Sequence, residues 1–452
     1  MPFPENNEVA ISEALHGGQE GRTVELTVDQ LVPFAMQLHK DNRFDLAEKF
    51  YRTALEAEPR NANAMHFLGV LMQQTGRVDV AIIYVQQSID IDGNVAAWHN
   101  NLGNLLLNAE RFDEAAKAYA RCSELDEGCY EVLNNLGVLF GKLGRITEAE
   151  ASFCRAIEQN PTLPNAHLNL SSLCSHHGRV TEGFSHLADA LALSPNDHRA
   201  KHMLVTALGR ANRVEEGLAA CREWLESSPQ SPYARHFLAA LGGVPIPDRA
   251  AEEYVVAEFD GFAASFDAKL AALEYRAPQL VGDAVARVFG TPVGQLSSMD
   301  AGCGTGLCGP FLRPYSSHLQ GVDLSANMLN LARDRKVYDV LKQAELVECL
   351  SGFLGQFDLI VSADTLCYFG KLSNVFSATK QALRQDGYWI FTVESHDDSE
   401  NYILHAHGRY SHSREYLEAE LQSARFTSID VKSVTLRSEG GKPVTGWLIA
   451  AS

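Results

Sequence analysis

A helical solenoid followed by a doubly wound α/β domain is the architecture this sequence predicts, on three observations. Residues 28–231 repeat with a 34-residue period. The period stops at a Gly/Pro-rich stretch, Gly242-Gly243-Val244-Pro245-Ile246-Pro247. Beyond it, short apolar runs alternate with helix-length segments, as in parallel β-strands joined by helices. A chain of 452 residues exceeds one ordinary core and suits two or three domains.

Taken in order, residues 1–27 are acidic and lack the basic and apolar regions of a secretory leader, so they read as a partly disordered lead-in. Six repeat units follow over 28–231. Ala47, Ala81, Ala115, Ala149, Gly183 and Gly217 are each 34 residues apart, and Tyr51, Val85, Tyr119, Phe153, Leu187 and Cys221 follow four residues later. Pro59, Pro161, Pro195 and Pro229 close four of the units, because proline cannot continue a helix. The expected unit is a pair of antiparallel helices that approach closely at the small residues, with the large ones filling the space between neighbouring units. This pattern resembles the tetratricopeptide repeat. Gly183 and Gly217 depart from the usual Ala, as terminal units of such arrays do.

Asn101, Asn135 and Asn169 recur at one repeat position. An amide both donates and accepts, so such a ladder could bind a peptide backbone along a groove; solvated or capping asparagines are the alternative. Residues 232–248 read as a capping helix (Tyr233 to Leu241) and a linker. The segment from Ala251 is helical in character, and Tyr254, Phe259, Phe262 and Phe266 give it an aromatic face that suits either core packing or a lid.

The α/β domain occupies 249–452. Strands are expected at 296–301, 318–322, 357–362 and 388–393, with a closing hairpin near 427–436 and 444–450. Helices are expected after the first strand and at 324–336, 375–383 and 415–424. The first strand runs into Asp300-Ala301-Gly302-Cys303-Gly304-Thr305-Gly306. Glycines there let the backbone pass close to a bound nucleoside. The same loop also satisfies a dinucleotide fingerprint, with Asp323 about 20 residues on. Asp300 tips the balance: a carboxylate before the loop would repel a pyrophosphate and attract a cationic amine. The string Gly321-Val322-Asp323-Leu324-Ser325-Ala326-Asn327-Met328 adds a ribose ligand and an apolar wall.

At these residues the domain resembles class I, Rossmann-like S-adenosylmethionine-dependent methyltransferases, and more narrowly bacterial ones fused to tetratricopeptide repeats. The stretches 259–278, 301–309, 357–372 and 408–421 carry that likeness. The resemblance implies S-adenosylmethionine as cofactor, with Asp300, Gly302, Gly304 and Gly306 around its methionine part and Asp323 on the ribose. Met328, Glu345 and Leu346 would border the adenine, and Asp364 would lie near the transferring methyl. Tyr368 reads as wall more than base. Methyl transfer from a sulfonium needs chiefly positioning, and a base only if the acceptor must lose a proton. Among His396, His405, His407 and His412, the expected base is His412.

Formal charge is −19. It divides into −11 through Val244 (20 basic, 31 acidic) and −8 after it (18 basic, 26 acidic). Neither half has the basic footprint that nucleic acid requires. Nine cysteines, none at CxxC spacing, argue against disulfides or a zinc site and for a reducing cytoplasm. No run of apolar residues is long enough to span a membrane. The expected function is therefore methyl transfer to a protein or peptide held in the repeat groove. A small-molecule methyltransferase and a non-catalytic cofactor-binding scaffold stand as alternatives, and oligomeric state is open.

Overall fold

The computed structural model describes residues 8–12, 23–439 and 441–452. The expected lead-in lies partly outside them; its described parts, β1 (Glu8–Ser12) and β2 (Thr23–Thr27), pair antiparallel. Packing divides the chain into two compact units, Met1–Pro195 and Asn196–Ser452. The repeat period ends later than that packing boundary, so the last repeat helices belong to the second unit.

The first unit is an array of helix pairs: α1 (Val28–Lys40) with α2 (Phe44–Ala57), α3 (Ala62–Gln74) with α4 (Val78–Ile91), α5 (Ala96–Asn108) with α6 (Phe112–Leu125), α7 (Tyr130–Lys142) with α8 (Ile146–Gln159), and α9 (Pro164–His176) with α10 (Val180–Leu193). Each pair turns through one left-handed residue: Asn42, Gly76, Glu110, Gly144 and Gly178, with φ from +57° to +78°. These too are 34 residues apart, and Gly and Asn tolerate that conformation best. The large residues behave differently from expectation. Tyr119 and Phe153 lie over Gly103 and Gly137 of their own unit, where any Cβ would strike the ring. They close each pair from within, and Tyr119 also donates its hydroxyl to Asn104 at 2.8 Å.

The second unit opens with α11 (His198–Arg210), α12 (Val214–Ser227) and α13 (Pro232–Ala240), followed by α14 (Glu252–Phe262), α15 (Phe266–Ala272) and α16 (Ala277–Phe289). A mixed sheet then forms from β3 (Leu296–Ala301), β4 (Ser316–Asp323), β5 (Val340–Gln343), β6 (Phe357–Ser362), β7 (Leu383–Ser395), β8 (Tyr402–Leu404), β9 (Tyr410–His412), β10 (Ile429–Glu439) and β11 (Lys442–Ala451). Its main path runs β10-β11-β7-β6-β3-β4-β5, with β3 to β7 parallel and the β10–β11 hairpin antiparallel at one edge. The chain leaves β3 toward β4 and returns on its other side at β6. That reversal opens a crevice at the carboxyl ends of β3 and β6, where α/β sheets bind ligands.

Crossover elements include α17 (Gly309–Leu312), α18 (Ala326–Asp334), α19 (Leu346–Ser351) and α20 (Ser373–Ala382), while α21 (Arg414–Ser423) precedes the hairpin. The helix expected after the glycine loop shrinks to the four residues of α17, and Pro314, two residues past its end, cannot continue it. β5 is short and largely exposed, so it lacks the apolar run that marks a buried strand. Met299, Val361, Ile390, Trp389 and Ile449 form the two-sided sheet core, each 0% exposed. Among the described residues no helix is long and apolar enough to cross a membrane.

The last repeat helices pack into this unit closely. A Cβ on Gly209 of α11 would come within 2.8 Å of Ala406, and His236 of α13 bonds the Gly408 carbonyl at 2.8 Å. His236 also stacks on Tyr254 of α14 with ring centroids 3.9 Å apart. These helices therefore brace the segment between β8 and β9.

Candidate active site

A cavity of about 380 Å³ lies at the carboxyl ends of β3, β4 and β6. Its floor is the glycine loop. Gly302 (φ +80°) and Gly304 (φ +53°) both line it and both sit in the left-handed region. A Cβ on Gly302 would collide with Thr365, whose hydroxyl donates to the carbonyl of Ala301 at 3.1 Å. Gly304 instead faces open space, with Phe266 3.9 Å away as its nearest neighbour. The loop holds its shape by spending its own amides: Gly302 and Cys303 both donate to Val322, and Gly304 donates to the Asp323 carboxylate at 2.8 Å.

Asp323, at the end of β4, lines the cavity and accepts a second backbone bond from Ser325 at 2.9 Å. The Leu324 amide pulls on the same carboxylate, and the two oxygens together still have acceptor capacity for a ligand. Burial raises its pKa above the ordinary carboxylate range, against the pull of these backbone donors. A half-buried carboxylate with spare acceptor capacity, beside the open backbone at Gly304, fits the diol of a nucleoside.

Other expected ligands sit differently. Asp300 is buried and absent from the cavity wall; it accepts the Tyr338 hydroxyl at 2.6 Å, and desolvation raises its pKa to about 7. Gly306 is also off the wall, and a Cβ there would meet the Tyr338 ring at 2.8 Å. These two residues build the underside of the loop. Met328 is 0% exposed and packs in the core, so the apolar wall expected of it is supplied by Leu324, one residue after Asp323. Ala344, Glu345 and Leu346 do line the cavity. Both oxygens of Glu345 are already engaged, one by Arg249 at 2.5 Å and one by the Glu348 amide at 2.7 Å as the N-cap of α19.

The opposite wall carries aromatic rings and a buried charge network. Phe259 and Phe266 line the cavity, whereas Tyr254 is core; the side chain of Phe262 lies outside the described residues. Tyr368 also faces the cavity, edge-on to Phe259 at 5.4 Å, and burial holds its phenol far above 10, so it stays protonated. Asp364 lines the cavity in a left-handed conformation (φ +52°), uncommon for a residue other than glycine. Thr392 donates to its Oδ1 at 3.0 Å and Arg437 to its Oδ2 at 2.9 Å. Burial raises the Asp364 pKa, with Arg437 opposing.

Arg437 further contacts Glu394 and Glu439, and Arg409 bonds Glu394 at 2.6 Å and Glu439 at 2.5 Å. Three carboxylates against two guanidiniums leave this network one charge negative. Arg409, Arg437 and Glu439 lie on the wall and were missed from the sequence: Arg409 sits inside the family-like stretch 408–421 but was passed over for His412, and Arg437 and Glu439 come from β10, far from any motif. Glu258 of α14 was missed too. It lines the cavity, and burial raises its pKa despite a hydrogen bond with Tyr233.

His412 is a correction. It is 0% exposed, absent from the cavity wall, and its Nε2 donates to the Gly370 carbonyl at 3.1 Å. Burial lowers its pKa to about 4. A neutral ring anchored to backbone beneath the surface cannot reach an acceptor in the cavity. None of His396, His405 and His407 lines the cavity either.

The amides of the asparagine ladder are turned onto the preceding repeat. Asn135 donates to Asn100 at 2.9 Å, Asn169 to Asn134 at 2.9 Å, and Asn101 meets His66 at 3.3 Å. Each bond joins one repeat to the next.

Residues 299–389 match the family described as "Methyltransferase domain". Residues 36–96, 100–164 and 134–198 match the tetratricopeptide repeat family. The chain joins a tetratricopeptide array to a methyltransferase domain. Human methyltransferase-like protein 27 is 34% identical over 123 residues, 27% of this chain and 49% of that protein. Magnesium-protoporphyrin O-methyltransferase of Rhodobacter capsulatus is 34% identical over 97 residues, 21% of this chain and 43% of that one. The chain spans less than half the length of the curated relatives it matches. Among solved structures, PilF of Pseudomonas aeruginosa covers 47% of this chain and 96% of its own at 19% identity, with a TM-score of 0.40.

Proposed function

We propose that the second unit is an S-adenosylmethionine-dependent methyltransferase whose acceptor is a small molecule. Asp323 carries the reading: a half-buried cavity carboxylate with free acceptor capacity, next to the open backbone at Gly304. On it, Asp323 binds the ribose hydroxyls, and Leu324, Ala344 and Leu346 flank the adenine. Glu345 contributes through whatever capacity its Arg249 pair leaves. The cofactor supplies an activated methyl on a sulfonium, so the protein need only orient the acceptor and exclude water.

The acceptor side is formed by Phe259, Phe266, Tyr275 and Tyr368, beside the Asp364–Arg437 pair. A volume of about 380 Å³ is at the low end for ligand sites and must hold donor and acceptor together. That leaves room for a small acceptor or for one protruding side chain. Should the acceptor need to lose a proton, Glu258 is the group to receive it, since its raised pKa and cavity position suit a general base.

A protein acceptor is the second reading, favoured by the repeat array that makes up much of the chain. The bonds from Asn135 and Asn169 to neighbouring repeats weigh against peptide capture by the ladder. Incubating the protein and methyl-labelled cofactor with cell extract separates the two. The proposal expects label in the low-molecular-mass fraction; label confined to protein bands would replace it with the second reading.

A further inference from the structure

The fifth helix pair of the array, α9 and α10, carries a polar cluster that methyl transfer does not use. His167 of α9 meets His186 and Asp189 of α10, and one ligand-type atom from each lies within 4.8 Å of the others. His186 and Asp189 are three apart on α10, which makes them neighbours on one helix surface. His167 is 7% exposed, and its Nε2 lies 3.3 Å from the carbonyl of Pro161. Only an N–H can make that bond, so the neutral ring carries its proton on Nε2 and a lone pair on Nδ1.

That Nδ1 is buried, has no hydrogen-bond partner, and sits 3.6 Å from the Asp189 carboxylate. The Nδ1 of His186 is buried and unpartnered in the same way. Two imidazole nitrogens and a carboxylate oxygen therefore converge with no donated proton between His167 and Asp189. Buried polar atoms without partners are rare and costly. A cation at the centre would satisfy all three at once.

We propose that His167, His186 and Asp189 bind one divalent transition-metal ion of the zinc class. Zinc takes imidazole nitrogen and carboxylate oxygen, and imidazole donors disfavour magnesium and calcium. The Pro161 carbonyl is the outer partner that fixes the tautomer of a ligating histidine. Asp189 is 54% exposed and His186 half-buried, so both side chains can close on an ion without moving the helices. The nearby guanidinium of Arg179 is held by Glu150 and Glu182. The bound ion ties α9 to α10, and its remaining coordination position faces water.

The test uses the full-length chain stripped with chelator and titrated with zinc chloride alone, by calorimetry and by thermal unfolding. Cobalt(II) absorption in the visible range reports the coordination geometry. Wild type is expected to bind one zinc per chain and to gain thermal stability. His186→Gln and Asp189→Asn, both tolerable at their exposed or half-buried positions, are each expected to weaken binding roughly tenfold or more. Absence of zinc binding by wild type overturns the proposal. So does binding that both variants leave unchanged, wherever on the chain that zinc then sits.

Discussion

Gly302 combines two constraints in one residue: a φ of +80° and a Thr365 side chain filling the space where a Cβ would stand. Gly302→Ala is expected to cost about 2 kcal/mol or more from strain and overpacking. Differential scanning calorimetry should then find the second unit unfolding roughly 5 °C lower. Four histidines make a second prediction at this scale. His66, His202, His407 and His412 are each lowered by burial to about 4. Between that value and the ordinary 6.5 the unfolded chain binds more protons than the folded one, so stability rises with pH across the window. It is fully present above 6.5 and lost as pH falls toward 4. Urea unfolding at pH 7.5, 6 and 5 should show midpoints falling in that order. The glycine loop and Asp323 were legible because they follow a strand in sequence. Arg437 and Glu258 were not, since a residue on β10 and one on α14 meet at the cavity only through folding. His412 misled for the opposite reason: a motif-like string surrounds it, but burial decides its role.

At the scale of elements, the helix pairs follow from a period that every unit shares. The left-handed turn residues and the Gly103–Tyr119 and Gly137–Phe153 contacts recur with it. The period also announced Asn101, Asn135 and Asn169, but it could not say which way their amides turn. Asn135 and Asn169 stitch neighbouring repeats. Each such bond is worth about 1 kcal/mol net. The double variant Asn135→Ala/Asn169→Ala should therefore lose about 2 kcal/mol in urea unfolding of the array. Unchanged stability with reduced peptide affinity would restore the ladder as a binding surface. In the α/β part, β6 with its apolar run and β3, marked by the glycine loop that follows it, were readable to the residue. The exposed β5 and the three-residue β8 and β9 were not, for want of any periodic signal.

For the molecule as a whole, the order of solenoid then α/β domain was readable, whereas the packing boundary at Pro195 was not. Repeats keep their period through α12 whether they pack on another repeat or on a different fold. Here α11 and α13 brace the His405–Arg409 segment, which delivers Arg409 to the cavity wall. A fragment of residues 196–452 should thus fold and bind cofactor. A fragment of 243–452 should lose cooperative unfolding by circular dichroism, because it strips the partners of Tyr254, Ala406 and Gly408. Equal behaviour of the two fragments would contradict that bracing role.

The cofactor is the centre of the account, and calorimetric titration of the full chain with S-adenosylmethionine and, separately, with a nicotinamide dinucleotide tests it most directly. The account predicts one S-adenosylmethionine per wild-type chain, roughly 10- to 100-fold weaker binding by Asp323→Ala through loss of a charged hydrogen-bond acceptor, and no heat from the dinucleotide. Dinucleotide binding that depends on Asp323, or a folded wild-type chain that takes up no S-adenosylmethionine, would contradict it.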